Sequence, residues 1–351
     1  MKALAVSFLL LCLMGGCLAK PGLPVVAPPS ADARATVLGV LGNISAPVFS
    51  PVHAVDAWES FVNTYPKRDY LTPMNPEAAG FLQSRLEAAG YQVDVLLLPF
   101  ENGVGGASLP TEVRVVRGTL EGRDATHRMA LVAHYDGETA TTQAAYDDAA
   151  GTIAQLSICE ILAQQKARLN HTIDCLFFDA EEMGLVASQS YVKNVYQKQQ
   201  EFVYDMVFGY DMTGINWPGH EWNLWAYIGT QKATQDHLVS PASDFLNVTL
   251  HEFFDGVIPG ASQGIQIAAP NPRNSDEQSF SKIGIPAVRF AGGKLAADYP
   301  HYHRPTDTIP LVYEFVGGRA NFEKGYDAVI RASYYTILGF DAFDVKALPT
   351  A

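Results

Sequence analysis

The carboxylates and imidazoles of this 351-residue chain collect at the ends of short apolar runs. "MALVA" is followed by His134 and Asp136, and "CLFFDA" runs into the adjacent acids Glu181 and Glu182. "MVFGY" leads to Asp211, and Asp147 stands just ahead of a helical pattern that begins near Asp148. After "AVRFAGG" comes "DYPHYHRPTDT", which carries His301 and His303. Taken singly, each has an ordinary explanation. An Asp before a helix is usually an N-cap, a His after a strand is usually structural, and two neighbouring carboxylates repel and sit on a solvated turn. Converging on one edge, they would repel by an amount on the order of several kcal/mol unless a cation lay among them. His with carboxylates and no thiolate suits zinc in a catalytic centre. One carboxylate can bridge two ions, which then polarise a carbonyl and activate a water.

The elements that would position these groups are legible from periodicity and punctuation. "NPEAAGFLQSRLEAAGYQVDVLLL" reads as a helix with Asn75 as N-cap and Pro76 at its first position, running to Gly90 and then into a strand. "VRVVRGTLEG", "RMALVAHYD", "TIDCLFFD", "DMVFGYD" and "IPAVRFAGG" are strand-like. "DDAAGTIAQLSICEILAQQ" reads as a helix apolar on more than one face, hence well buried. A last long helix is expected over about residues 312 to 338. Strands alternating with helices predict an α/β fold, a three-layer α/β/α sandwich with a mixed, mainly parallel central sheet. Ligands of such sheets bind outside the carboxyl ends of the strands, where these acids and histidines fall. The Trp-rich residues 216–229 read as a packed loop or edge strand, or else as a wall of a substrate cleft.

Hydrophobic residues make up 48% of the chain and charged ones 17%, enough for a sizeable core and against disorder. The net charge of −13, with no Lys/Arg-rich run, excludes nucleic acid as a partner. Lys2 and "ALAVSFLLLCLM" predict an export signal over 1–19, too short to span a membrane. "MGGC" at 14–17 resembles a bacterial lipobox, which would put a lipid on Cys17 and make the protein a cell-envelope lipoprotein. Ordinary cleavage after Ala19, giving a secreted protein, is the alternative. A Pro-rich linker is expected over 20–34 and one catalytic domain over 35–351, with no internal repeat. Export allows a disulfide between Cys159 and Cys175. Two separately buried thiols, on a helix and a neighbouring strand, are the favoured expectation.

As an ordered set, "HYD", "DDAAG", "FFDAEEMG", "YDMTG" and "YHRPTDT" resemble the secreted bacterial di-zinc aminopeptidases. Their family also holds glutamate carboxypeptidase II, the transferrin receptor and glutaminyl cyclase. The resemblance runs over roughly residues 75 to 340. It implies a zinc-dependent exopeptidase that removes N-terminal residues from peptides with two zinc ions. His134 and Asp211 would hold one ion, Glu182 and His303 the other, and Asp147 would bridge them. Asp136 would hold the far ring nitrogen of His134. Glu181 would be the general base, and Tyr302 a donor to the developing oxyanion. His301 competes with His303, and the "YH" ahead of the P-x-D-T pattern selects His303. The peptide between Asp147 and Asp148 is expected to be cis.

The chain also departs from its relatives. "SDEQSF" puts Glu277 where many of them have His, and Tyr146 stands where they often have Asn or Asp. These two residues, with Arg273 near the "SD" motif, are candidate substrate contacts. A glutaminyl cyclase with a single zinc is the alternative activity on the same scaffold, which "AHYDGE" resembles slightly. A non-catalytic binding module, as in the transferrin receptor, would have lost ligands, and none is missing here.

Overall fold

Runs rich in Val, Ile, Leu and Phe, bounded by Gly, Asn and Asp, form the strands of this protein. A computed structural model describes residues 31–99, 112–214, 224–229, 245–246, 248–257, 265–268, 275–292 and 298–342. The export signal, most of the Pro-rich linker and Arg273 lie outside the described residues, as do residues 216–223 of the Trp-rich stretch.

Three helices come first: α1 (Ala31–Leu41), α2 (Pro51–Thr64) and α3 (Met74–Ala88). Helix α1 begins at Ala31, inside the 20–34 stretch expected as a linker. Strands β1 (Gln92–Pro99), β2 (Glu112–Leu120) and β3 (Asp124–His134) precede α4 (Ala149–Ala163). Then come β4 (His171–Phe178), α5 (Val186–Asn194), β5 (Val203–Tyr210), β6 (Leu224–Gly229) and β7 (Ile265–Ala268). The short helix α6 (Glu277–Ser281), β8 (Ala287–Ala291), α7 (Ile309–Val316) and α8 (Arg319–Ala342) complete the order.

The eight strands form one mixed sheet in the order β1-β2-β4-β3-β5-β8-β6-β7. Its centre is parallel, with β3 pairing both β4 and β5, and β5 pairing β8. The antiparallel pairs are β1–β2, β2–β4 and β6–β8. Both faces are covered, and the side chains show it with a period of two. On β3, Leu131 and Ala133 pack into one core while Ala130 and Val132 pack into the other. On β4, Ile173, Cys175 and Phe177 face one side and Leu176 and Phe178 the other. Cutting Leu131 to Ala would cost about 2–5 kcal/mol.

Several expectations need correction. Asn75 is not the cap of α3, because the helix starts at Met74 with Pro73 in the cap position. Asn75 is instead buried, donating from its side chain to Asp179 and to the carbonyl of Arg68. The expected 312–338 helix is two helices, broken where Gly317 and Gly318 adopt φ of 82° and 112°. Glycine alone takes such angles at little cost. Cys159 on α4 and Cys175 on β4 are bonded to each other rather than packed as separate thiols. Helix and strand lie close enough for the two side chains to meet, which linear spacing did not reveal. The Trp-rich stretch ends in β6, an inner strand between β8 and β7 rather than an edge. Among the described residues, no helix is long and apolar enough to cross a membrane.

Candidate active site

His134 closes β3, and the chain then loops from 135 to 148 before entering α4. This loop is held from beneath by groups far away in sequence. Arg68, 1% exposed, donates to the carbonyls of Tyr135, Gln143 and Ala144 at 2.6–2.7 Å. The Trp58 indole donates to Ala145 O at 2.7 Å. Asp307, buried in the "PTDT" turn, accepts the backbone N–H of Tyr146 and Asp147 and the hydroxyl of Tyr299. A buried charge is tolerable only with such pairing.

The two acids that end the loop divide their tasks. Asp148 caps α4, accepting the N–H of Gly151 at 2.9 Å and that of Met212 at 3.0 Å. Asp147 turns the other way, and the peptide joining the pair is cis. One Asp147 oxygen lies 3.5 Å from His134 Nε2 and the other 3.3 Å from His303 Nε2. His303 Nε2 is also 3.1 Å from Glu182 Oε2. Two groups result: His134, Asp147 and Asp211, and Asp147, Glu182 and His303. Within each, the ligating atoms lie within 4.8 Å of one another, and Asp147 belongs to both.

Asp136 organises the rest. Its carboxylate faces His134 Nδ1 at 3.3 Å and accepts the N–H of Glu181 at 3.1 Å and of Glu182 at 3.3 Å. The turn that carries the paired acids therefore hangs on one buried anion. Glu181 Oε2 reaches to 4.0 Å from His134 Nε2. The ring of Tyr302 stacks on that of His303, with centroids 3.7 Å apart. His301 instead pairs with the Thr306 hydroxyl and takes no part in either group. Among the described residues, those other than glycine with positive φ are Ala144, Ala180, Leu185, Met212 and His303, each in sequence close to one of the acids or histidines of this site. Strained backbone gathers at sites where the surroundings dictate it.

The protonation equilibria reflect crowded negative charge. Burial raises Glu181 well above the carboxylate range, with His134 opposing and Glu182 adding to the rise. Burial pushes Glu182 up to about 8, reinforced by Asp147 and opposed by His303. Burial works to lower His134, but Glu181, Asp136 and Asp147 outweigh it and the ring is held well above its usual value. Burial likewise works against protonated His303, which Asp147 and Glu182 nevertheless raise to about 10. These groups draw on protons for positive charge that a divalent cation would supply better. The donor set of imidazole and carboxylate, with a buried Glu182 Oε1 that has no hydrogen-bond partner, fits such an ion.

Two of the three residues expected as substrate contacts, Tyr146 and Glu277, are buried. Tyr146 is fully buried, its hydroxyl donating to the carbonyls of Met212 and Gly292, and its ring lies edge-on to Tyr299. It ties the Asp147 loop to the residues that follow β5 and β8. Glu277 is 1% exposed and lies over Gly209, where an added Cβ would come within 2.9 Å of its carboxylate. Sequence reading missed Arg289, whose Nη1 donates to Asp211 Oδ2 at 3.1 Å. A charge inside the apolar "AVRFA" was the available signal. It also missed Asp307, whose position in "PTDT" was read only as part of a pattern.

The chain matches Peptidase family M28 over residues 115–314 and belongs to that family. Leucine aminopeptidase 1 of Coccidioides posadasii is 28% identical over 172 residues, 47% of this chain and 41% of that protein. The chain thus aligns with about two fifths of the curated relative. Among solved structures, the Legionella pneumophila LapA aminopeptidase superposes with a TM-score of 0.63 at 17% identity, over 91% of this chain and 77% of that one. Porphyromonas gingivalis glutaminyl cyclase superposes with a TM-score of 0.64 at 19% identity, over 82% and 98%. At these identities the superpositions establish the fold and leave the reaction open.

Proposed function

We propose that the protein is a zinc-dependent aminopeptidase with a two-ion centre. The observation that carries this reading is the placement of Asp147 between two complete ligand groups, His134 with Asp211 and Glu182 with His303. Zinc held there would supply Lewis acidity and lower the pKa of a bound water. Glu181, whose backbone N–H is held by Asp136 and whose Oε2 lies 4.0 Å from His134 Nε2, would take the proton of the attacking water. It would then deliver that proton to the leaving amine. Tyr302, half-buried beside His303, would donate to the carbonyl oxygen as it becomes an oxyanion. Asp136 would keep His134 in one tautomer and orientation.

The likeness to a curated leucine aminopeptidase supports a peptide substrate read from its N-terminus. The superposition on a glutaminyl cyclase keeps a one-zinc cyclase as the second reading. The Cys159–Cys175 bridge supports export to an oxidising compartment, in keeping with the N-terminal signal and a lipid on Cys17. Purified protein offered leucyl- and alanyl-anilides beside glutaminyl peptides tests the reaction. Hydrolysis of the anilides, abolished by a chelator and restored by zinc, is expected. Cyclisation of glutaminyl peptides without anilide hydrolysis would refute the aminopeptidase.

A further inference from the structure

Asn75, which the sequence offers as a helix cap, is 1% exposed and uses every hydrogen-bonding position of its side chain. Its Nδ2 donates to Asp179 Oδ1 at 2.8 Å and to the carbonyl of Arg68 at 3.1 Å. Its Oδ1 accepts from the Tyr135 hydroxyl and from Arg114 Nη1, each at 3.3 Å. Helix α3 thereby holds, across 104 positions of sequence, the acid that opens the turn carrying Glu181. Asp179, 4% exposed, passes the hold on: the same Oδ1 accepts the N–H of Ala180 at 2.8 Å. Asp136 takes the next two N–H groups, those of Glu181 and Glu182. Two buried carboxylates thus pin three consecutive N–H groups. Ala180, the first of the three, has φ of 53°, a left-handed conformation that a residue with a Cβ keeps only when its surroundings require it.

We propose that Asn75 and Asp179 are positioning residues for the reaction, holding Ala180 left-handed so that Glu181 points toward His134 Nε2. The inference rests on the reading of Glu181 as the base. A change of φ at Ala180 swings the residue that follows, and Asp136 grips only that residue and the next. Neither Asn75 nor Asp179 belongs to either ligand group, so both act through the backbone of the turn. The role asks of residue 179 an oxygen that faces Asn75 and the Ala180 N–H, which an amide also offers.

The test compares zinc-loaded, full-length wild type with Asn75→Ala, Asp179→Ala and Asp179→Asn. Two things are measured: hydrolysis of a leucyl-anilide, and amide hydrogen exchange by mass spectrometry. Both alanine variants should lose kcat by about tenfold to a hundredfold with KM unchanged. They should exchange faster in the peptide covering 178–185, while peptides from β3 and α4 keep wild-type protection. Asp179→Asn should stay close to wild type in both. The proposal is overturned if either alanine variant, shown folded by circular dichroism, keeps its kcat. It is also overturned if Asp179→Asn loses as much as Asp179→Ala, or if exchange rises evenly through the molecule, as a merely structural role would have it. Wild type that leaves the anilide intact would overturn the aminopeptidase reading instead. Exchange then decides alone: loosening confined to 178–185 in the alanine variants upholds the hold on the turn, and its absence refutes it.

Discussion

Glu181 and Glu182 hang their backbone N–H groups on one carboxylate, Asp136, which also faces His134. That shared anchor lets the adjacent side chains diverge, Glu182 toward the His303 ring and Glu181 toward His134 Nε2. Replacing Glu181 with Gln keeps shape and anchoring but removes the proton acceptor. The variant should retain its zinc by metal analysis and lose kcat by about 10²–10⁴. Asp136→Asn removes the negative charge opposite His134, and its amide can accept only one of the two N–H bonds. Zinc affinity should fall by about tenfold to a hundredfold in a chelator competition. The candidate ligands were legible because His134, Glu182 and Asp211 follow apolar runs, Asp147 precedes a helical pattern and His303 lies in the P-x-D-T stretch. What was not legible is which groups hold the ligands in place. Arg68 and Asp307 hold the 135–148 loop and Arg289 holds Asp211, each across a long stretch of sequence, and no local spacing links them to what they support.

At the level of elements, strands and buried helices could be read from periodicity, whereas their ends depended on contacts. Asn75 has the chemistry of an N-cap but is drawn into the interior by Asp179. The join between α7 and α8 needs only two glycines in a chain that otherwise reads as continuous helix. The cystine ties α4 to β4. Closing a loop of 16 residues, it should contribute about 3 kcal/mol, and a Cys159→Ser, Cys175→Ser pair should unfold at correspondingly lower denaturant. At the far end of the sheet, His171 joins β4 to the last helix and to β5. Its Nδ1 lies 3.0 Å from Asp341 and its Nε2 3.5 Å from Asp205, which also pairs with His127. Burial opposes its protonation, but Asp205 and Asp341 prevail and lift it from 6.5 to about 9. A raised folded-state pKa means that this contribution is complete below about pH 6.5 and is lost as pH climbs through about 9. Unfolding curves across that window should therefore fall in wild type and flatten in His171→Gln.

Across the whole molecule, one sheet with two covered faces brings residues from 134 to 303 to a common edge. Its parallel centre aims the ends of β3, β4 and β5 the same way, which is why groups far apart in sequence meet. The fold class followed from the alternation of strands and helices, while the inner position of β6 did not, because one strand in isolation carries no record of its neighbours. The central claim is that this edge holds two cations with Asp147 between them. Anomalous diffraction at the zinc edge, from crystals equilibrated with excess zinc, tests it most directly. Two peaks about 3.5–4 Å apart, one beside His134 and Asp211 and one beside Glu182 and His303, are the predicted result. A single peak, or zinc bound away from Asp147, would contradict the account.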